Sequence, residues 1–176
     1  RKCVTMDLKE PGNDLYLIGV TKDEMAGSHF HLVTGESGGS VPRVDLELAP
    51  KLFAAVHAAI SQGLVRSCHD LSEGGLAVAL AEMAFAGGVG ADVSQLPGEG
   101  LPDAVRLFSE SASRFVIEAK PENAAALAAC FASLPFVRVG TTVGDARLRV
   151  AGANGEWAIW VKLSELKEAW QKPLRW

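Results

Sequence analysis

Apolar positions recur along this chain in two rhythms, one close to 3.6 residues and one of two. The helical rhythm is plainest at Leu52, Val56, Ala59 and Ile60, which share a face. Ala49-Pro50 opens that helix, because a proline at the first position gives up only a donor that would lack a partner anyway. Gly63 closes it in the left-handed region. An alanine-rich helix runs over 76–86 and stops at Gly87-Gly88. A short helix is expected over 104–108, another from Pro121 to about Ser133, and a last one capped by Ser164 and ended by Pro173. Alternating or short apolar runs predict strands over 1–9, 15–20, 64–68, 89–93, 114–118, 137–143, 148–151 and 156–163. Gly152-Ala-Asn-Gly155 joins the last two as a hairpin. Residues 22–44 carry Gly27, Gly35, Gly38, Gly39 and Pro42 and read as a long loop. Helices and strands alternate, yet strands crowd the end of the chain. The expected class is α/β with α+β character: a mixed β-sheet covered by helices.

Composition narrows the function classes. The 176 residues hold 17 basic and 21 acidic side chains, so the acidic balance offers no stripe for a phosphate backbone and nucleic acid is not an expected partner. An apolar share of 48% is too high for a disordered chain. No run approaches the roughly 20 apolar residues of a membrane helix, and no secretory signal is visible at the start. Three widely spaced cysteines, Cys3, Cys68 and Cys130, make a poor disulfide framework and fit reduced thiols in the cytoplasm. The length suits one domain over 1–176. The abrupt start at Arg1 reads as a cut, with 1–12 as the trailing link from a preceding domain.

The sharpest chemistry lies at His69-Asp-Leu-Ser-Glu-Gly-Gly75, a junction between strand and helix. The first amides of a helix have no internal partner, and its dipole favours an anion there. Gly74 and Gly75 let a ligand approach the backbone. Asp70 offers a hard oxygen to Mg²⁺, which takes one or two carboxylates together with phosphate oxygens, and Ser72 offers a donor to phosphate. The same residues also read as caps, Asp70 with Glu73 as a capping box or Ser72 alone as N-cap. A triad of Ser67, His69 and Asp70 is rejected, because neighbours on a strand point to opposite faces. His69 reads as a structural or supporting histidine.

Ser109-Glu110-Ser111 followed by Arg114 forms a second polar cluster. Its side chains either face a cleft, with Arg114 pairing a phosphate, or make a solvated turn. His29 and His31 share a face if extended, but no third ligand is near, so solvent exposure is the expectation. Trp157, Trp160 and Trp170 read as core or interface residues.

The run His69-Asp-Leu-Ser-Glu-Gly-Gly-Leu-Ala-Val-Ala-Leu-Ala-Glu-Met-Ala-Phe-Ala-Gly87 resembles a signature of the phosphoribosylformylglycinamidine synthase family. Leu107-Phe-Ser-Glu-Ser-Ala-Ser-Arg-Phe115 and Met25-Ala-Gly-Ser28 resemble two further motifs, in the family's order and spacing. The resemblance spans about residues 3–151. It implies the C-terminal AIR-synthase-like domain of the enzyme's second half. The implied reaction is ATP-dependent conversion of formylglycinamide ribonucleotide, with ammonia from a glutaminase subunit or domain, to formylglycinamidine ribonucleotide, ADP and phosphate. By resemblance, Asp70 would serve as a Mg²⁺ ligand. Ser72, Gly74 and Gly75 would contact ATP or ADP in an auxiliary, structural pocket. Glu110, Ser111 and Arg114 would correspond to a substrate-like pocket, with Ala112 standing where the first-half motif has glutamine. The family's catalytic histidine belongs to missing N-terminal domains, so an isolated fragment is expected to be inactive and to expose an apolar face able to self-associate. Two alternatives remain: another ATP-dependent enzyme of the AIR-synthase superfamily, or a module that packs and dimerises without ligand.

Overall fold

The computed structural model describes residues 2–175. Seven strands form one sheet in the order β2-β4-β1-β5-β3-β6-β7. They are β1 (Asp14–Ile18), β2 (Ser67–Asp70), β3 (Gly90–Val93), β4 (Phe115–Ala119), β5 (Phe136–Val143), β6 (Arg147–Ala151) and β7 (Trp157–Lys162). All neighbours are antiparallel except β3 and β6. The helices are α1 (His29–Thr34), α2 (Ala49–Ser61), α3 (Gly75–Gly87), α4 (Asp103–Phe108), α5 (Ala124–Cys130) and α6 (Leu163–Gln171). The mixed, helix-covered sheet expected from the pattern is the one found.

Alternation along β1 sorts the core into two layers. Leu15 and Leu17 join Val116 of β4 and the buried face of α3. Tyr16 and Ile18 point the other way, with Ile117 and Ala119, onto α2 and α5. Both sides of β1 are therefore buried, because helices cover both faces of the sheet there. Phe136 stacks on both Tyr16 and Phe131, with centroids 4.7 Å apart in each pair. α3 is nearly apolar all round, because it lies sandwiched between the sheet and α4 and α6.

Several local expectations are corrected. Residues 2–13 form no strand. Leu8 is buried there, its amide bound to the Met83 carbonyl at 3.0 Å, while the Lys9 and Glu10 amides reach the buried Glu118 carboxylate. The segment spends its donors on a helix end and a side chain, so no ladder forms; Arg1 lies outside the described residues. The 22–44 loop contains α1, because the Ser28 hydroxyl accepts the His31 amide at 3.3 Å and Gly35 closes the turn at φ +77°. The expected helix after Pro121 begins with a 3-10 turn and ends at Cys130. Ser164 does not cap α6; Lys162 holds that position.

Candidate functional site

The 64–68 strand of the sequence reading is shifted to Ser67–Asp70, so β2 carries His69 and Asp70 up to the head of α3. The turn between them is not closed by a side-chain cap from Asp70 or Ser72. Gly74 is the N-cap, at φ +76°, and Gly75 follows at φ +61°. Two successive left-handed residues require glycine. Space requires it too: a Cβ on Gly74 would strike Val78, and one on Gly75 would strike the Ser109 carbonyl. The capping role falls to a residue distant in sequence. Glu110 Oε1 accepts the Gly74 amide at 2.8 Å and the His29 amide at 2.9 Å. A carboxylate thus lies on the positive end of α3.

A cleft of about 450 Å³ opens beside this junction. His69, Asp70, Ser72, Glu73 and Gly74 line one end; Val78, Ala79, Glu82 and Trp170 continue the wall, and His29 stands at the edge. Asp70 is the open end of the site, its side chain 63% exposed. The Ser72 hydroxyl donates to Asp70 Oδ2 at 2.6 Å, and that bond, aided by His69, holds the Asp70 carboxyl below the ordinary aspartate range. His69 lies between two acids, with Nε2 2.9 Å from Glu82 Oε2 and Nδ1 3.4 Å from Asp70 Oδ1. The Trp170 indole N–H donates to Glu82 Oε1 at 3.0 Å. Ser67 is turned away into the interior, donating to Glu118 Oε2 at 2.9 Å.

The structure brings Asp70, Ser72 and Gly74 to one cleft, with Gly75 buried just behind. The Gly74 amide is committed to Glu110, and the Gly75 amide donates to the Ser72 carbonyl at 3.1 Å. The side chains of Asp70 and Ser72, rather than these amides, are the groups presented to the cleft.

The second polar cluster forms neither the cleft nor the solvated turn that the sequence left open, because Ser109, Ser111 and Arg114 are buried. Arg114 is 1% exposed; Nε donates to the Ser111 carbonyl at 2.9 Å, Nη1 to Thr21 Oγ1 at 3.0 Å, and Nη2 to the Ser109 carbonyl. Burial pushes the guanidinium down to about 10, against the attraction of Glu24 and Glu110. Its fork is spent on two carbonyls and the Thr21 hydroxyl, so Arg114 builds the loop and is not free to pair a phosphate. Ser111 is also buried and receives the Lys22 amide at 3.1 Å. Of the three side chains, that of Glu110 alone bonds the junction, while the Arg114 carbonyl accepts the Leu71 amide at 3.0 Å. His29 and His31 fall within α1, two residues apart on a helix, and do not share a face. His31 is half-buried rather than solvated.

Glu82 was not singled out in the sequence, and Trp170, expected as a core or interface aromatic, stands in the cleft wall instead. Glu82 had a signal, since 75, 78, 79 and 82 follow one another at helical spacing from the glycine turn. Trp170 arrives from α6 by tertiary packing alone.

Fold and site together define an α+β domain with an acidic cleft at a glycine-led helix start. Residues 10–152 match the family "AIR synthase related protein, C-terminal domain", and the chain belongs to that family. It is 38% identical over 178 residues to the phosphoribosylformylglycinamidine synthase subunit PurL of Alkaliphilus metalliredigens, covering 99% of this chain and 23% of that protein. The PurL subunit of Deinococcus radiodurans is 37% identical over 97% of this chain and 24% of its own length. The chain therefore spans about a quarter of these relatives. Thermotoga maritima PurL complexed with FGAR shares the fold at TM-score 0.82 and 22% identity, over 94% of this chain and 29% of that one. Escherichia coli HypE, a hydrogenase maturation protein, shares it at TM-score 0.65 and 20% identity, over 92% and 52%.

Proposed function

We propose that this chain is the C-terminal domain of a phosphoribosylformylglycinamidine synthase. In that reading the whole protein converts formylglycinamide ribonucleotide, ATP and ammonia to formylglycinamidine ribonucleotide, ADP and phosphate in the cytoplasm. The remaining domains of the same protein supply the catalytic groups, and a glutaminase subunit or domain supplies ammonia. The observation that carries the reading is identity of 38% across 99% of the chain to a PurL subunit. Among the described residues no helix is long and apolar enough to cross a membrane.

The domain's own part is to lend Asp70 and Ser72 to a Mg-nucleotide pocket, of auxiliary and structural type, completed by a neighbouring domain. The donor set fits that role in one specific way. Among the described residues no three His, Cys, Asp or Glu side chains gather to hold a metal unaided. One exposed carboxylate plus phosphate oxygens is a normal Mg²⁺ environment, however. The cleft wall carries Asp70, Glu73 and Glu82 and no lysine or arginine among its described residues. Such a wall repels a free polyphosphate and accepts one whose charge a cation has neutralised. Magnesium, when bound, supplies that neutralisation; Asp70 holds it and Ser72 orients Asp70.

Self-association of the isolated domain belongs to the same proposal. Leu32, Val33 and Leu46 are 77%, 84% and 83% exposed, which suits a face that normally meets the rest of the protein.

The test is calorimetric titration of the full-length protein with ADP, with and without Mg²⁺, against its Asp70→Ala variant. Magnesium-dependent binding lost in the variant supports the pocket. Equal binding in both proteins favours a domain that packs without ligand.

A further inference from the structure

We infer that Trp170 and Glu82 are positioning residues for Asp70, so that α6, folded back on α3, sets the carboxylate that meets the Mg-nucleotide. The inference rests on the reading of Asp70 given above and adds a part of the chain that the 10–152 family match leaves out.

α6 is anchored beside the cleft by packing. Leu163 is buried in the same core layer as α3, Leu166 packs against it, and the Trp170 ring lies 5.8 Å from Phe85. This leaves one indole edge over the α3 face that carries Glu82. An indole N–H only donates and a carboxylate oxygen accepts, so the Trp170–Glu82 contact has one direction and His69 donates to Glu82 through Nε2. Trp170 gives its hydrogen to Glu82 Oε1 at 3.0 Å, which leaves Glu82 Oε2 for His69 Nε2 at 2.9 Å. The other ring nitrogen of His69 stands 3.4 Å from Asp70 Oδ1, and Ser72 holds Asp70 Oδ2 at 2.6 Å.

Exposure follows the same order. The His69 and Glu82 side chains are 16% and 23% exposed, while Asp70 is 63% exposed. The supporting groups are shielded and the ligand end is open. An imidazole anchored through Nε2 on Glu82 stands with Nδ1 beside Asp70 Oδ1, and its fixed ring narrows the positions open to that carboxylate. Partners that orient a metal ligand typically contribute about 10–100-fold to metal affinity.

The test is Mg·ADP affinity of the full-length protein, measured by calorimetry. Glu82→Leu is expected to weaken binding about tenfold. Trp170→Phe keeps a smaller aromatic ring beside Phe85 and removes the indole N–H, and is expected to weaken it about threefold. Glu82→Gln keeps an oxygen for the indole and a polar group for His69, and is expected to restore affinity to within about twofold of the parent. Parental affinity in both Trp170→Phe and Glu82→Leu, alongside lost binding in Asp70→Ala, overturns the inference and leaves the nucleotide reading standing. Parental affinity in Asp70→Ala as well removes both. Phenylalanine is smaller than tryptophan, so an unchanged urea midpoint in Trp170→Phe is the control that the fold tolerates the smaller ring and that any affinity loss comes from the lost indole contact with Glu82.

Discussion

Glu110 reaches Gly74 across 36 residues of chain and binds its amide at 2.8 Å. The same oxygen takes the His29 amide at 2.9 Å, so one carboxylate joins α1, the α3 head and the loop before β4. Charge-assisted bonds of this kind contribute more than neutral ones, about 1.5–3 kcal/mol. Glu110→Ala is expected to cost about 2–3 kcal/mol, read from urea unfolding. Amide exchange at Gly74 and His29 should rise in that variant well before exchange in the core of α3. Unchanged protection at both amides would contradict the clamp.

Ser72 is expected to control the ionisation of Asp70. Its hydroxyl stabilises the carboxylate, so the folded-state pKa lies below the unfolded one. The associated stabilisation is present above the ordinary aspartate pKa and is lost as pH falls through the depressed value. Ser72→Ala removes the principal cause. The Asp70 side-chain carboxyl, followed by NMR against pH, should then titrate at higher pH than in the parent. An unchanged midpoint would show that another contact sets it.

Arg114 is expected to matter for folding. Arg114→Met strips partners from two carbonyls and the Thr21 hydroxyl, a loss of about 3–5 kcal/mol. Arg114→Lys should rescue little, because a single ammonium cannot span acceptors placed for a planar fork. Chemical denaturation of the two variants checks the point; full stability in Arg114→Lys would refute it.

The thiols should separate by reactivity. Burial, with the charge of Asp70, pushes the Cys68 thiol up to about 12, whereas Cys3 is exposed. At pH 8, Cys3 is expected to react with a thiol reagent while Cys68 stays unmodified until the protein unfolds. Mass mapping of the labelled native protein decides this.

Local chemistry was legible in the sequence wherever one segment carried its own instructions. Pro50 and Gly63 bound α2 because both act through their own backbone. The glycine pair at 74–75 marked the junction for the same reason. Ser28 was hidden by the glycines around it, although it starts α1 by an ordinary hydroxyl cap. Ser164 misled, because a hydroxyl near a helix start says nothing about whether the strand ahead of it consumes the position. The roles of Glu110 and Arg114 depend on contacts that sequence spacing does not encode. The nearest partner of Trp170 in the cleft, Glu82, is 88 residues away. Junction chemistry and family likeness both picked out Asp70 and Ser72, but only tertiary packing reveals what stands behind them.

β1 lies at the heart of the sheet, yet both its neighbours are made late. β4 and β5 begin at Phe115 and Phe136, a hundred residues or more after Asp14. On a ribosome, Leu15 and Leu17 emerge well before the two strands that flank them. Closing so long an excursion must be met in entropy before any ladder bond rewards it. Assembly of this domain is therefore held back until most of it has been synthesised, and the waiting central strand is the stretch that most needs shelter in the meantime.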